Sequence, residues 1–395
     1  MSTPTLHRTL WLTSAYALSA LFSVPALAQT YSYAKLLTYQ PAIADSSNGS
    51  GTPNHGNPST MNGQGQTMGW ATVRSGSIFD FKKFKYVPAY KRVVLKWAET
   101  PSGDVSPTVV STTVMPLHMN DVGSWVGYIP SQSLVSRDKV GFGYLQDKAA
   151  IQINGKVTEI KYGSNGLNFD VKALNNKNWV LGTTLVESAT SAVLLKGLIW
   201  KAGVFTELET GGAEYSYAID MNDNGDVVGR LQTNVLYDSG PLAGTLKEIQ
   251  QQAALWVNGK LAWRGPMNSA ALSINAAGDV LWRSYDTYEQ FIRRNGVDTV
   301  VPVSGRLTGP GTVYGCISVG DGSFAQEWAI WKDGQTIRLA ADMQAQGLTP
   351  PRTNDCSDAR LIDVQAGKLL YTTQLFPTGT TRPSALSYLR VHGMP

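Results

Sequence analysis

Residues 218–229 read Ala218-Ile219-Asp220-Met221-Asn222-Asp223-Asn224-Gly225-Asp226-Val227-Val228-Gly229, and residues 254–260 read Ala254-Leu255-Trp256-Val257-Asn258-Gly259-Lys260. The first segment sets an Asn-x-x-Gly turn between two apolar runs, and Asn and Gly both accept turn conformations. The second sets Asn-Gly between the apolar run Ala254 to Val257 and Lys260. That dipeptide supplies the positive φ that a two-residue β-hairpin turn requires. Read in order, the two segments spell strand A, tight turn, strand B, longer loop, strand C, Asn-Gly turn, strand D.

The pattern recurs along the chain. Met61-Asn62 leads to Gly65 and Gly69, Met119-Asn120 to Gly123 and Gly127, and Leu174-Asn175 to Asn178 and Gly182. Ile274-Asn275 leads to Gly278, with Trp282 in place of the last Gly, and two degenerate copies keep only Gly322 and Gly367. Asn or its equivalent then falls at 62, 120, 175, 222, 275, 319 and 364, at intervals of 58, 55, 47, 53, 44 and 45 residues. The second half repeats as Leu198-Ile199-Trp200-Lys201-Ala202-Gly203 and Ala329-Ile330-Trp331-Lys332-Asp333-Gly334, and more weakly at 150–155, 291–296 and 388–393.

A four-stranded unit of roughly 40–50 residues, repeated about four to eight times, is the signature of a propeller blade. The spacing therefore predicts an all-β fold, a seven-bladed β-propeller filling 29–395. The seventh copy ends at His392-Gly393 without a fourth strand, whereas Tyr31 to Tyr39 is strand-like and has no copy of its own. The expected solution is that this N-terminal strand completes the last blade and removes the exposed edges. A separate N-terminal hairpin is the other solution.

Composition agrees. The 395 residues carry 33 Lys+Arg against 29 Asp+Glu, with 43% hydrophobic and only 16% charged residues. Disordered chains have few aromatics and many charges, which excludes that class here. Two Cys and four His leave little for a Cys/His metal centre. The mild net charge of +4 points to no nucleic-acid partner.

Residues 1–28 have the three-part form of a secretory signal peptide: Arg8, the apolar run Leu10 to Val24, and Ala26-Leu27-Ala28 as cleavage site. The apolar run is short for a membrane span, and no transmembrane segment is expected. In an oxidising compartment Cys316 and Cys356 read as one disulfide.

The Ala-x-x-Ile-Asn-x-x-Gly-x-Val-Val-Gly half followed by Ala-x-Leu-Trp-x-x-Gly resembles the HAF-type extracellular repeat proteins of bacteria. The resemblance spans roughly 60–393 and is sharpest in copies three to five. It implies export, periplasmic or extracellular, and a β-repeat fold. It implies no agreed activity and transfers no catalytic residue.

Function usually sits on long loops over a rigid scaffold. Short A–B and C–D turns should share one rim, and the B–C loops and D–A links the other, with insertions at 71–92, 130–148, 231–252, 264–270 and 303–313. The most unusual insertion holds Arg74, Phe79-Asp80-Phe81-Lys82-Lys83-Phe84-Lys85-Tyr86 and Tyr90-Lys91-Arg92. Basic residues interleaved with aromatics can hold an anionic ligand by charge and stacking, so Arg74, Lys82, Lys85, Tyr86, Tyr90 and Arg92 are candidate ligand-binding residues. A plain exposed hairpin fits the same residues. Tyr285, Asp286 and Tyr288 in the B–C loop of copy five are further candidates, with a merely polar loop as the alternative. Asp220-x-Asn222-x-Asn224-Gly225-Asp226 opens like a calcium loop, but Leu231 stands where the late bidentate acid belongs, so no metal is expected. No cofactor motif, nucleophile elbow or triad is visible. The expectation is a monomeric, non-enzymatic binding protein for a glycan or envelope protein. An exported polysaccharide lyase or hydrolase is the alternative.

Overall fold

The computed structural model describes residues 31–35, 57–80, 84–99, 105–130, 148–163, 169–187, 193–239, 241–242, 244–318, 326–339, 341, 345, 360–365, 368–373 and 385–391. The expected signal segment 1–28, the insertion 131–147, Lys82 and Cys356 lie outside them.

The chain is all-β, and its strands form four-stranded antiparallel sheets, seven of them among the described residues. Sheet one is β2 (Asn57–Met61), β3 (Thr67–Asp80), β4 (Lys85–Glu99) and β5 (Val105–Val110). Sheet two is β6 (Met115–Met119), β7 (Trp125–Ile129), β8 (Lys148–Ile153) and β9 (Lys156–Glu159). Sheet three is β10 (Asp170–Leu174), β11 (Val180–Glu187), β12 (Val193–Lys201) and β13 (Val204–Glu207). Sheet four is β14 (Tyr215–Met221), β15 (Val227–Leu236), β16 (Leu246–Val257) and β17 (Lys260–Met267). Sheet five is β18 (Ser269–Ile274), β19 (Val280–Ser284), β20 (Gln290–Arg294) and β21 (Val297–Val301). Sheet six is β22 (Ser304–Gly309), β23 (Thr312–Ser318), β24 (Gln326–Lys332) and β25 (Gln335–Arg338). The remaining sheet has the order β1 (Tyr31–Lys35), β28 (Ala385–Val391), β27 (Lys368–Thr373), β26 (Arg360–Gln365). In it β1 pairs antiparallel with β28, from Tyr31 opposite Val391 to Lys35 opposite Ser387.

The C–D turns follow the sequence rule. Asn154-Gly155, Ala202-Gly203, Asn258-Gly259, Asn295-Gly296 and Asp333-Gly334 all have positive φ at both positions, as type I′ hairpin turns demand. The last Gly of the A–B unit has a different cause. A Cβ at Gly127 or Gly229 would strike the carbonyl oxygen of Met115 or Tyr217 on the neighbouring strand A. Trp97, Trp200, Trp256 and Trp331, in register in the repeat, are buried in the core as expected. Clusters such as Val227, Leu231 and Trp256 with Leu181, Ile199 and Leu208 join consecutive sheets face to face.

Three expectations change. Copy six is not centred on residue 319: its strand A is β22, and its turn is Pro310-Gly311, about nine residues earlier. Gly322 lies outside the described residues. The stretches taken as links, 264–270 and 303–313, are mostly strand, with Asn268 alone between β17 and β18. Sequence spacing erred there because sheet six has lost the Asn that marks the others. The insertions 71–92 and 231–252 lie in extended hairpins, β3–β4 and β15–β16, each with one register shift, at Arg74/Gly76 and at Val235/Leu236; for the first, the hairpin is the alternative that the sequence left open.

Candidate functional site

The repeat Asn does more than turn the chain. Asn62, Asn120, Asn175, Asn222 and Asn275 are each no more than 5% exposed. Each Oδ1 accepts the backbone N–H four residues on, at 2.9–3.0 Å. Each Nδ2 reaches the next sheet, donating to the carbonyls of Asn120, Asn175, Asn222, Asn275 and Gly309 at 2.9–3.3 Å. These side chains therefore close their own turn and stitch it to the neighbour. The residue one further on forms a collar: Asp121 N–H donates to Asn176 Oδ1 at 2.8 Å, and Asn176 N–H to Asp223 Oδ1 at 2.7 Å.

Behind the collar, the first strands of sheets one to six converge on one polar cavity of about 230 Å³. His118, Lys172, Asp220, Ser273 and Arg306 line its depth. Every strand A has a bulge one to three residues before this turn, and bulges re-aim side chains. His118 is half-buried. Burial, with Arg306 and Lys172 adding repulsion, pushes its pKa down to about 4, so the imidazole is neutral at pH 7. Lys172 pairs with Asp170 at 2.5 Å. Asp220 accepts from Ser273 Oγ and Ile274 N–H at 3.0 Å and from its own neighbour Met221 N–H at 2.9 Å. The calcium-like motif is thus spent on hydrogen bonds between sheets, and no metal-ligating cluster exists among the described residues.

At the ladder's end the chemistry changes. Asp279, 4% exposed, accepts from Asn275 Nδ2, Arg294 Nε and Gly311 N–H through one oxygen at 3.0–3.2 Å. Hydrogen bonding to Asp279 raises the Arg294 pKa further. This clamp stands where sheet six offers no Asn.

The opposite rim has the hairpin tips. Arg74, Tyr86, Tyr90 and Arg92 are paired positions on β3–β4, facing Tyr90, Phe79, Arg74 and Thr72 respectively, and Lys85 faces Asp80. Phe79 packs edge-on to Phe84 at 6.4 Å and to Tyr86 at 5.2 Å, yet Phe84 and Tyr86 stay 83% and 74% exposed. The Arg92 guanidinium lies 5.2 Å from the Trp70 ring. The β15–β16 tip exposes Leu236, Tyr237, Leu242 and Leu246. Tyr285, Asp286 and Tyr288 sit on a different sheet, in the β19–β20 turn. Asp286 accepts from Asn268 Nδ2 at 3.0 Å, Tyr285 N–H donates to Asn268 at 2.7 Å, and Tyr288 is 70% exposed beneath Arg283. The sequence reading missed His118, Lys172 and Arg306 as neighbours, because strand-A bulges have no residue signature.

The fold as a whole aligns with that of a solved propeller. The β-propeller domain of the Trilobed protease from Pyrococcus furiosus, described as having an open velcro topology, aligns with a TM-score of 0.52 at 10% identity, over 85% of this chain and 94% of that one. Two structures of Pyrococcus horikoshii acylaminoacyl peptidase align with a TM-score of 0.47 at 12% identity, over 85% and 86% of this chain but only 50% and 51% of the peptidase. No family model and no curated protein matches the chain. The protein is a β-propeller; at such identities the likeness shows the fold alone.

Proposed function

We propose that this chain is an exported, closed seven-bladed β-propeller that acts as a non-enzymatic binding protein for a glycan or protein of the cell envelope or extracellular space. The observation that carries the reading is the contrast between rims. The A–B side spends its polar groups on joining sheets, whereas the B–C side extends two hairpins with exposed aromatics well beyond their neighbours. At about 3.3 Å per residue, the 14-residue β3 overreaches a five-residue strand such as β7 by roughly 30 Å. Closure rests on the β1–β28 pairing. Export rests on the form of residues 1–28, and the HAF-type likeness on copies three to five. A disulfide between Cys316 and Cys356 belongs to the same reading; no described cysteine is free.

The test is a glycan array together with pull-down from a bacterial envelope extract, using the mature chain and a variant in which an Asn-Gly turn replaces 77–88. The expected result is a ligand retained by the full chain and weakened in the variant; retention of no ligand at all contradicts the reading. A lyase or hydrolase is favoured by one observation, the neutral His118 beside Lys172 and Arg306 in the central cavity. An imidazole with so low a pKa is a weak base. Turnover of an acidic polysaccharide that is lost in His118→Gln would establish the enzymatic alternative.

A further inference from the structure

We propose that the outer half of sheet four is a binding strip for a neutral oligosaccharide, an inference that rests on the binding reading above. On β14 the side chains of Tyr215 and Tyr217 share one face, because Ser216 between them accepts Gly197 N–H of sheet three at 3.0 Å and so points the other way. Cross-strand pairing brings Arg230 and Gln232 of β15 opposite Tyr217 and Tyr215, and Gln251 of β16 opposite Gln232. Residues of one face in register form a continuous surface.

These side chains make an unbroken relay. Arg230 Nη1 donates to Gln251 Oε1 at 3.4 Å, Gln251 Nε2 to Gln232 Oε1 at 3.4 Å, Gln232 Nε2 to Asn234 Oδ1 at 3.3 Å, and Asn234 Nδ2 to the Tyr215 hydroxyl at 3.1 Å. All are half-exposed. An amide has two N–H donors and two acceptor lone pairs. Each amide in the relay spends one of each within it, leaving one donor beside one acceptor. A sugar hydroxyl donates and accepts at once, so a row of such pairs matches a row of hydroxyls. The relay bonds are long, and their exchange for ligand bonds loses little.

The aromatic part agrees. Tyr215 and Tyr217 lie 6.3 Å apart at 36°, and the Arg230 guanidinium sits 4.5 Å from the Tyr217 ring. Arg230 Nε is buried without a partner, an unmet donor at the inner end of the strip. Glu214 accepts Asn234 N–H at 3.3 Å at the outer end and offsets the Arg230 charge at the inner end, so the strip offers an acidic ligand no net positive charge. The residues are peculiar to this sheet. Leu185 takes the Gln232 place in sheet three, and β19 ends before reaching it. Val228 and Ala253, inward on the same face, are already covered by Ala271, Ile274 and Trp282 of sheet five.

The experiment is isothermal titration of the mature chain with β-1,4-glucan, chitin, xylan, mannan and α-glucan oligosaccharides, alongside oligogalacturonate and alginate fragments. A neutral oligosaccharide should bind, and Gln232→Ala, Gln251→Ala and Tyr217→Ala should each weaken it by about tenfold or more, near 1.4 kcal/mol. Gln251→Glu, which keeps size and acceptor but removes the donor, should do the same with an unchanged melting curve, separating recognition from folding. If a neutral glycan binds equally well to all four variants, or only acidic fragments or a protein partner bind, the strip is wrong and the binding reading stands. If neither these sugars nor the array and pull-down yield a ligand, both fall.

Discussion

The two rims of the propeller are built from the same strands and obey different rules. On the A–B rim, five sheets repeat one device: a buried Asn that closes its own turn and donates to the next carbonyl. On the B–C rim, successive hairpins differ in length, charge and aromatic content. A buried polar ladder tolerates little change, since each buried amide that loses its partner costs more than the bond itself contributed. A solvent-facing hairpin has no such constraint and can diverge. Repetition therefore marks scaffold, and departure from it marks the surface available for recognition.

Mutations should separate the rims by magnitude. The largest effect is expected at the junction where the ladder gives way to a charge. Asp279→Ala strips four N–H donors, two of them on Arg294, of their acceptor, and breaking such a pair costs about 3 kcal/mol, at the low end of the range because Arg294 reaches solvent. Urea unfolding should show this as a lowered midpoint. Asn222→Ala removes three bonds within its own turn and one to the next sheet and should cost about 2 kcal/mol in the same measurement. If it proves neutral, the ladder is an ornament of the turn rather than a fastener.

Acid should distinguish the rims as well. The folded-state pKa of His118 is depressed, so the unfolded chain takes up its proton first. Stability contributed by the neutral imidazole is complete above about pH 6.5 and is lost as pH falls toward about 4, with no further loss below. Chemical denaturation from pH 7 to 4 should show a shallower decline in His118→Gln; parallel curves for the two proteins would remove the His118 imidazole from the account. The smallest effect belongs to the hairpin tips. Phe84→Ser and Tyr86→Ser should change stability by less than about 0.5 kcal/mol, because these rings are already in water. They should still reduce ligand or partner capture.

The sequence disclosed the scaffold far better than the surface. Asn-Gly turns and in-register Trp residues were legible because each follows from local backbone conformation or from burial with a fixed period. The ladder was half legible: the Asn recurred, but its link to the next sheet spans 34 to 58 residues, a distance at which sequence shows no geometry. Sheet six was misplaced because Pro310-Gly311 turns the chain without Asn. The repeat already assigned the candidate residues on β3–β4 and in the β19–β20 turn to different copies, but composition alone gave no side-chain geometry for either. The relay on sheet four escaped notice because Gln232, Asn234 and Gln251 are ordinary strand residues until pairing aligns them.

The central claim is that ligands meet the B–C rim while the cavity behind the Asp121–Asn176–Asp223 collar serves the fold. It is tested most directly by measuring one ligand's affinity for two variants side by side. One combines Lys172→Gln with Arg306→Gln; the other combines the shortened 77–88 hairpin with Gln232→Ala and Gln251→Ala. The account predicts near wild-type affinity, within about twofold, for the cavity variant and a loss of about tenfold or more for the rim variant, on the scale of 1.4 kcal/mol per tenfold. Loss of affinity in the cavity variant with full binding by the rim variant would contradict it.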